Sequence, residues 1–153
     1  EDKDTVANIK ETGEFVYNMA TWDQREQMNQ TGLIIDREQD EIAQTGLEGI
    51  PANMVAPPRI KGSPVQFECK LHEIVVLPGD SKMFVHHAVF GQVVGVHIAD
   101  EAISEDGIFE VARVRPIARL GYKDYSWVDE TNIFQMDKRT PEELIGKPPQ
   151  AAE

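Results

Sequence analysis

Polar and apolar positions change rhythm along the chain, and each rhythm predicts an element. Val6, Ala7 and Ile9 recur at helical spacing behind Asp4 and Thr5, and Gly13 follows Thr12 as a stop, so a short helix is expected over about residues 5–12. Glu14 to Met19 is short and rich in β-formers and reads as a strand. Thr21-Trp22-Asp23-Gln24 has the form of a capping box, which predicts a second helix to about Gln30; a third, from about Asp36 to Thr45, should end at Gly46. Pro51, Pro57, Pro58, Gly62 and Pro64 exclude a helix beyond that point and describe an extended connector.

Val65, Phe67, Cys69 and Leu71 then alternate with Gln66, Glu68, Lys70 and His72, the period of a strand that buries its apolar face. Ile74 to Leu77 breaks the alternation, so both faces are expected to be covered there, and Leu77-Pro78-Gly79-Asp80 predicts a turn. The run from Phe84 to Ile98 would be about 50 Å long as one straight strand, so it must bend, with Gly91 and Gly95 as the corners. A long kinked hairpin of this kind is what a small closed barrel uses to turn its sheet. Asp100 to Gly107 reads as an acidic loop, Phe109 to Arg115 as a short helix or turn, and Ile117 to Val128 as a last strand region. One domain is expected over residues 1–140, with 141–153 a frayed tail.

Composition narrows the function classes. Twenty of the 153 residues are Gly or Pro, which favours strands and loops over a helical bundle. A net charge of −12 argues against nucleic acid and anionic membrane as partners, since both need a clustered positive surface. The acid is concentrated early, with 12 Asp or Glu against 4 Lys or Arg in residues 1–50. The longest stretch without charged residues, Met83 to Ala99, is too short and too polar to span a bilayer. The single cysteine has no internal disulfide partner, so a cytoplasmic location is expected.

Little in the chain points to side-chain catalysis. His72, His86, His87 and His97 lack the spacing of a metal site, since His86 and His87 point to opposite faces of a regular strand. Cys69 falls on the apolar face and reads as packing, because a buried thiol is a poor nucleophile. The acid pairs Asp100-Glu101 and Glu105-Asp106 read as solvated surface, and no Walker, Rossmann or nucleophile-elbow pattern is present. Lys3-Asp4-Thr5 is more suggestive: a cation, a hydroxyl and unpaired backbone N–H groups at the first turn of a helix suit a phosphate, although a capping residue would satisfy the same helix without any ligand.

Lys3-Asp4-Thr5-Val6-Ala7-Asn8-Ile9 followed by Thr12-Gly13-Glu14-Phe15-Val16-Tyr17-Asn18 resembles a segment of the flavin reductase-like family, the FMN-binding split barrels. The resemblance continues in order through Gln27-Met28-Asn29, Pro57 to Ile60, Ser63 to Cys69, Gly91 to His97 and Arg115 to Gly121, and covers about residues 3–136. It implies a mainly β, Greek-key split β-barrel with short flanking helices, a homodimer, and bound FMN reduced by NAD(P)H, in some members for a partner monooxygenase. Carried over by position, Lys3 and Thr5 would contact the FMN phosphate, Asp4 would cap the helix, and Asn18 and Asn29 would lie near the flavin. His97, Arg119 and Tyr125 would line the nicotinamide or substrate side. Hydride transfer to flavin needs no side-chain acid or base, so no catalytic residue is assigned. Family members carry further strands ahead of the Lys-Asp-Thr helix, so this chain is expected to be part of a larger folding unit. The competing readings are a flavin-binding module without reductase activity and a flavin-free interaction domain.

Overall fold

In the computed structural model, which describes residues 3–33, 35–36, 39–79 and 85–145, the first predicted helix is α1, Asp4–Thr12. Lys3 occupies its N-cap position in extended conformation and no side chain caps the helix. Asp4, expected as the cap, is the first helical residue, where its charge faces the positive end of the helix. Gly13 ends the helix at φ 70° and returns its N–H to the Ile9 carbonyl at 2.8 Å, a backbone conformation that costs glycine little.

The strand that follows is β1, Glu14–Asn18, and a 3-10 turn over Trp22–Gln24 leads into α2, Arg25–Gln30. The capping box expected at its start does not form. Thr21 makes no capping bond and is buried in a bridge to Pro116, while Gln24 donates to the Lys61 carbonyl at 3.1 Å. The third helix is shorter than its pattern: α3 is Glu41–Gln44, started by Asp40, whose carboxylate accepts from the Ile42 and Ala43 amides at 2.9 and 3.4 Å. Ile34, Arg37 and Glu38 lie outside the described residues. Within the extended connector, β2 (Gly49–Ile50) pairs with β3 (Arg59–Ile60).

The long hairpin is β4, Val65–Leu77, paired antiparallel with β5, His86–Ile98, and β1 joins the other edge of β4. The predicted turn at Asp80 falls outside the described residues, as do residues 81–84. Register shifts lie between Glu68 and Cys69, opposite Gly95 and Val93, and between Leu71 and Glu73, opposite Gly91 and Phe90. Both predicted corners therefore sit beside a bulge, which bends the sheet. At Gly91 the reason for glycine is also steric, since a Cβ there would overlap the Phe15 ring.

Burial along β4 departs from simple alternation. Val65 and Cys69 are buried and Phe67 stacks on Tyr17 with centroids 5.4 Å apart, but Gln66 and Glu68 on the opposite face are buried as well. The connector covers that face: Gln66 Nε2 donates to the Ile60 carbonyl at 2.6 Å, and Arg59 Nη1 donates to Gln66 Oε1 at 3.0 Å. At the far end, Val76 and Leu77 are exposed, so the expected two-sided cover is absent there.

The chain continues through a 3-10 turn at Asp100–Ala102, α4 (Val111–Val114), and a second hairpin of β6 (Ile117–Gly121) with β7 (Asp124–Trp127). The start of the expected tail is instead α5, Pro141–Ile145. Thr140 and Glu143 form the reciprocal capping box there, Thr140 N to Glu143 Oε2 at 2.9 Å and Glu143 N to Thr140 Oγ1 at 3.4 Å, with Pro141 at the first helical position. Residues 146–153 of the tail lie outside the described residues.

The architecture is strand-rich mixed α/β, with one three-stranded sheet in the order β1-β4-β5 and two two-stranded sheets. The expected closed barrel is not formed among the described residues, because closure needs hydrogen-bonded partners for the outer edges of β1 and β5, and no other described strand ladders onto them. The second hairpin is linked to the end of β1 by the Thr21–Pro116 bridge and by Ile117 N to the Ala20 carbonyl at 3.1 Å. No described helix is long and apolar enough to cross a membrane.

Candidate functional site

A concavity lies between α2 and the second hairpin, and backbone bonds set its walls. Trp22 N donates to the Arg115 carbonyl at 2.9 Å, which fastens the entry of α2 to the start of β6. In the hairpin register Ile117 faces Trp127, so Trp127 arrives beside Trp22 with ring centroids 4.5 Å apart and planes tilted by 46°. Arg25, three residues beyond Trp22, lies 4.1 Å over its ring and donates Nη1 to the Trp22 carbonyl at 2.7 Å. The resulting cleft has a volume of about 750 Å³, within the usual range for small-molecule sites.

Three of the residues carried over from the family resemblance meet in this cleft: Asn29, Arg119 and Tyr125. Arg119 and Tyr125 are cross-strand partners, with the guanidinium carbon 5.9 Å from the tyrosine centroid and Nη2 donating to the Tyr122 carbonyl at 2.7 Å. Tyr122, at the hairpin tip, has φ 48°, a left-handed conformation unfavourable for a bulky side chain, and is 94% exposed at the rim. The described wall carries Arg25, Arg119 and Lys123 against Glu26 as its one carboxylate, a local cationic surface on a chain of net charge −12.

The other expected site residues lie elsewhere. Asn18 Oδ1 accepts from Ile60 N at 2.8 Å, holding the connector to the sheet, and the residue lines a separate pocket of about 180 Å³ that shares Met28 and Thr31 with the cleft. Lys3, Asp4 and Thr5 are exposed. The first turn of α1 offers a phosphate the Lys3 ammonium, the Thr5 hydroxyl and amides without intrahelical acceptors. Against it, Asp4 and Thr5 border a groove that also carries Asp36, Asp40 and Glu41, whose charges would repel a phosphate.

His97 belongs to a different centre. In β5 it pairs with Gln66, and its Nε2 lies 2.5 Å from Glu68 Oε1. The Glu68 side chain is inaccessible to solvent and also accepts from the Asn53 and Met54 amides at 2.9 and 2.5 Å. Burial pushes its carboxyl up, but those two amides and the imidazole outweigh it and hold the pKa at about 2. An ionised Glu68 has no proton to donate, so the hydrogen between the two groups sits on His97 Nε2. On the other face burial raises the Cys69 thiol pKa, in keeping with a packing role.

Sequence reasoning missed the aromatic and cationic half of the cleft, Trp22, Arg25, Lys123 and Trp127, and it missed Glu68. A signal for the former was present: the chain has two tryptophans, and one is followed at helical spacing by an arginine. Glu68 stood in a position that alternation assigns to solvent and carried no such signal.

Residues 1–123 match the model of the flavin reductase like domain, and the chain belongs to that family. It is 36% identical over 123 residues to an uncharacterized protein of Aquifex aeolicus, a match covering 80% of this chain and 60% of that one. Among solved structures it is similar to nitrilotriacetate monooxygenase component B from Bacillus cereus, with TM-score 0.80, 26% identity, and 89% and 66% of the two chains covered. The 2-nitrobenzoate 2-nitroreductase NbaA of Pseudomonas fluorescens matches with TM-score 0.75, 29% identity, and 97% and 68% covered. A protein of the flavin reductase type with a split barrel domain, from Shewanella frigidimarina, matches with TM-score 0.74, 25% identity, and 88% and 65% covered. The described strands thus have the split-barrel fold as their structural likeness, and the chain spans about three fifths of the length of the curated relatives it matches.

Proposed function

We propose that this chain is the flavin-handling part of an oxidoreductase that binds FMN and accepts hydride from NAD(P)H. The observation that carries the reading is the match of residues 1–123 to the flavin reductase like domain, and Asn29, Arg119 and Tyr125, meeting in one cleft, would form its reacting side. Bound FMN would supply the redox chemistry, taking up hydride and passing electrons on. The chain's own part is binding and orientation: Lys3 and Thr5 hold the phosphate end, Asn18 fixes the connector beside the sheet, and Asn29, Arg119 and Tyr125 face the reacting side. His97, kept in place by Glu68, presents its ring from the sheet. A second copy covers the half-open apolar sheet face of Tyr17, Val93, Val96 and Ile98, giving a homodimer. Reduced flavin is handed to a partner monooxygenase or to an acceptor bound directly; one matched structure is a monooxygenase component and another a nitroreductase.

Steady-state oxidation of NADH and NADPH with added FMN tests the reading. Turnover that depends on both protein and FMN is expected. Saturable FMN binding with no oxidation of either nucleotide would favour the flavin-binding module without reductase activity.

A further inference from the structure

The cleft between α2 and the second hairpin combines features that together specify a ligand. Its aromatic surface is an indole pair packed with centroids 4.5 Å apart; Trp22 also carries Arg25 over its ring, and Trp127 is 39% exposed, so the exposed part of Trp127 is where a flat ring can stack. Its walls hold three cations, and the one described carboxylate among them, Glu26, lies 3.5 Å from Arg25 Nε. Arg119 and Lys123 approach from the hairpin with no second carboxylate on the described wall to match them. Arg119 spends Nη2 on the Tyr122 carbonyl, which fixes the plane of the guanidinium while its other donors remain suited to a carboxylate. Residues assigned to the phosphate end and to the connector, Lys3, Thr5 and Asn18, do not line this space.

We propose that this cleft binds small flat aromatic carboxylates, held by indole stacking and by Arg119 and Lys123, as an acceptor site beside the flavin rather than as the flavin pocket. The acceptor role rests on the proposed function; the binding itself does not. Both tryptophans of the chain stand in the cleft, so intrinsic fluorescence reports on its occupancy directly.

The test titrates the full chain with 4-nitrobenzoate and with 4-nitrobenzamide, an uncharged molecule of the same shape, following tryptophan quenching. Saturable quenching is expected from the carboxylate, about tenfold tighter than from the amide. Arg119→Ala should bring that ratio close to unity, and Lys123→Ala, read in parallel with circular dichroism of both variants, should lower it independently. Lys70→Ala removes a cation from an exposed position on β4 and should leave the ratio unchanged. Unsaturable quenching by both probes, equal affinities, or a ratio that survives both cleft variants would overturn the proposal. In a last arm FMN is added to nitrobenzoate-saturated protein. Flavin binding without displacement supports a separate acceptor site, whereas competitive displacement makes the cleft the flavin's own and overturns it. If FMN does not bind at all while nitrobenzoate does, the oxidoreductase reading falls and the aromatic-carboxylate site stands.

Discussion

Glu68 occupies a position where an alternating strand exposes a polar side chain, yet it is fully buried and ionised against three donors. The folded pKa of about 2 lies below the ordinary 4.5, so the stability it contributes is full above pH 4.5 and is lost as pH falls toward 2. Urea midpoints measured across that window should fall more steeply for the wild type than for Glu68→Gln; parallel curves would contradict the assignment. At the first turn of α1, loss of the two side chains in a Lys3→Ala, Thr5→Ala variant should narrow the preference for FMN over riboflavin, because charge-assisted bonds to a phosphate are lost. An unchanged ratio would leave the acidic groove beside Thr5 as the dominant influence there and remove the phosphate role. Single residues were legible only where local pattern decides them. Cys69 as a packed thiol followed from its neighbours, whereas Glu68 depends on amides contributed from fourteen and fifteen residues away.

At the scale of elements, the long hairpin was legible because strand length and glycine position are local quantities. Fifteen residues could not run straight, and the bulges fall beside the two glycines that the pattern marked. Gly91→Ala should destabilise by about 1–3 kcal/mol, since the Phe15 ring must move away from the new methyl group. Chemical denaturation measures this, and Phe15→Val in the same chain should restore part of the loss; a neutral Gly91→Ala would mean that Phe15 does not pack over the bulge. Capping was the least legible feature. Thr21 to Gln24 has the spacing of a capping box, but Thr21 is taken into a bridge with Pro116 and Gln24 into a bond with Lys61. The box that does form, at Thr140 and Glu143, stood in a segment whose prolines suggested fraying, although Pro141 suits the first position of a helix.

At the scale of the whole molecule, one sheet face is sealed by the connector and the other is left half open. Tyr17, Val93, Val96 and Ile98 are 42–56% exposed there, so a second copy has an apolar surface to cover. Light scattering should give a dimer mass, and Val96→Lys should shift it toward the monomer; a monomer that still binds FMN would detach the flavin site from any interface. The cleft was half legible: family resemblance led to Asn29, Arg119 and Tyr125, but the tryptophan pair arises from a backbone link between residues 22 and 115 that no local pattern encodes. The central claim is that this chain handles flavin, and FMN titration by equilibrium dialysis tests it most directly. Saturable binding of a single FMN per chain, tighter than that of riboflavin, is the predicted result; no saturable uptake of either flavin would contradict it.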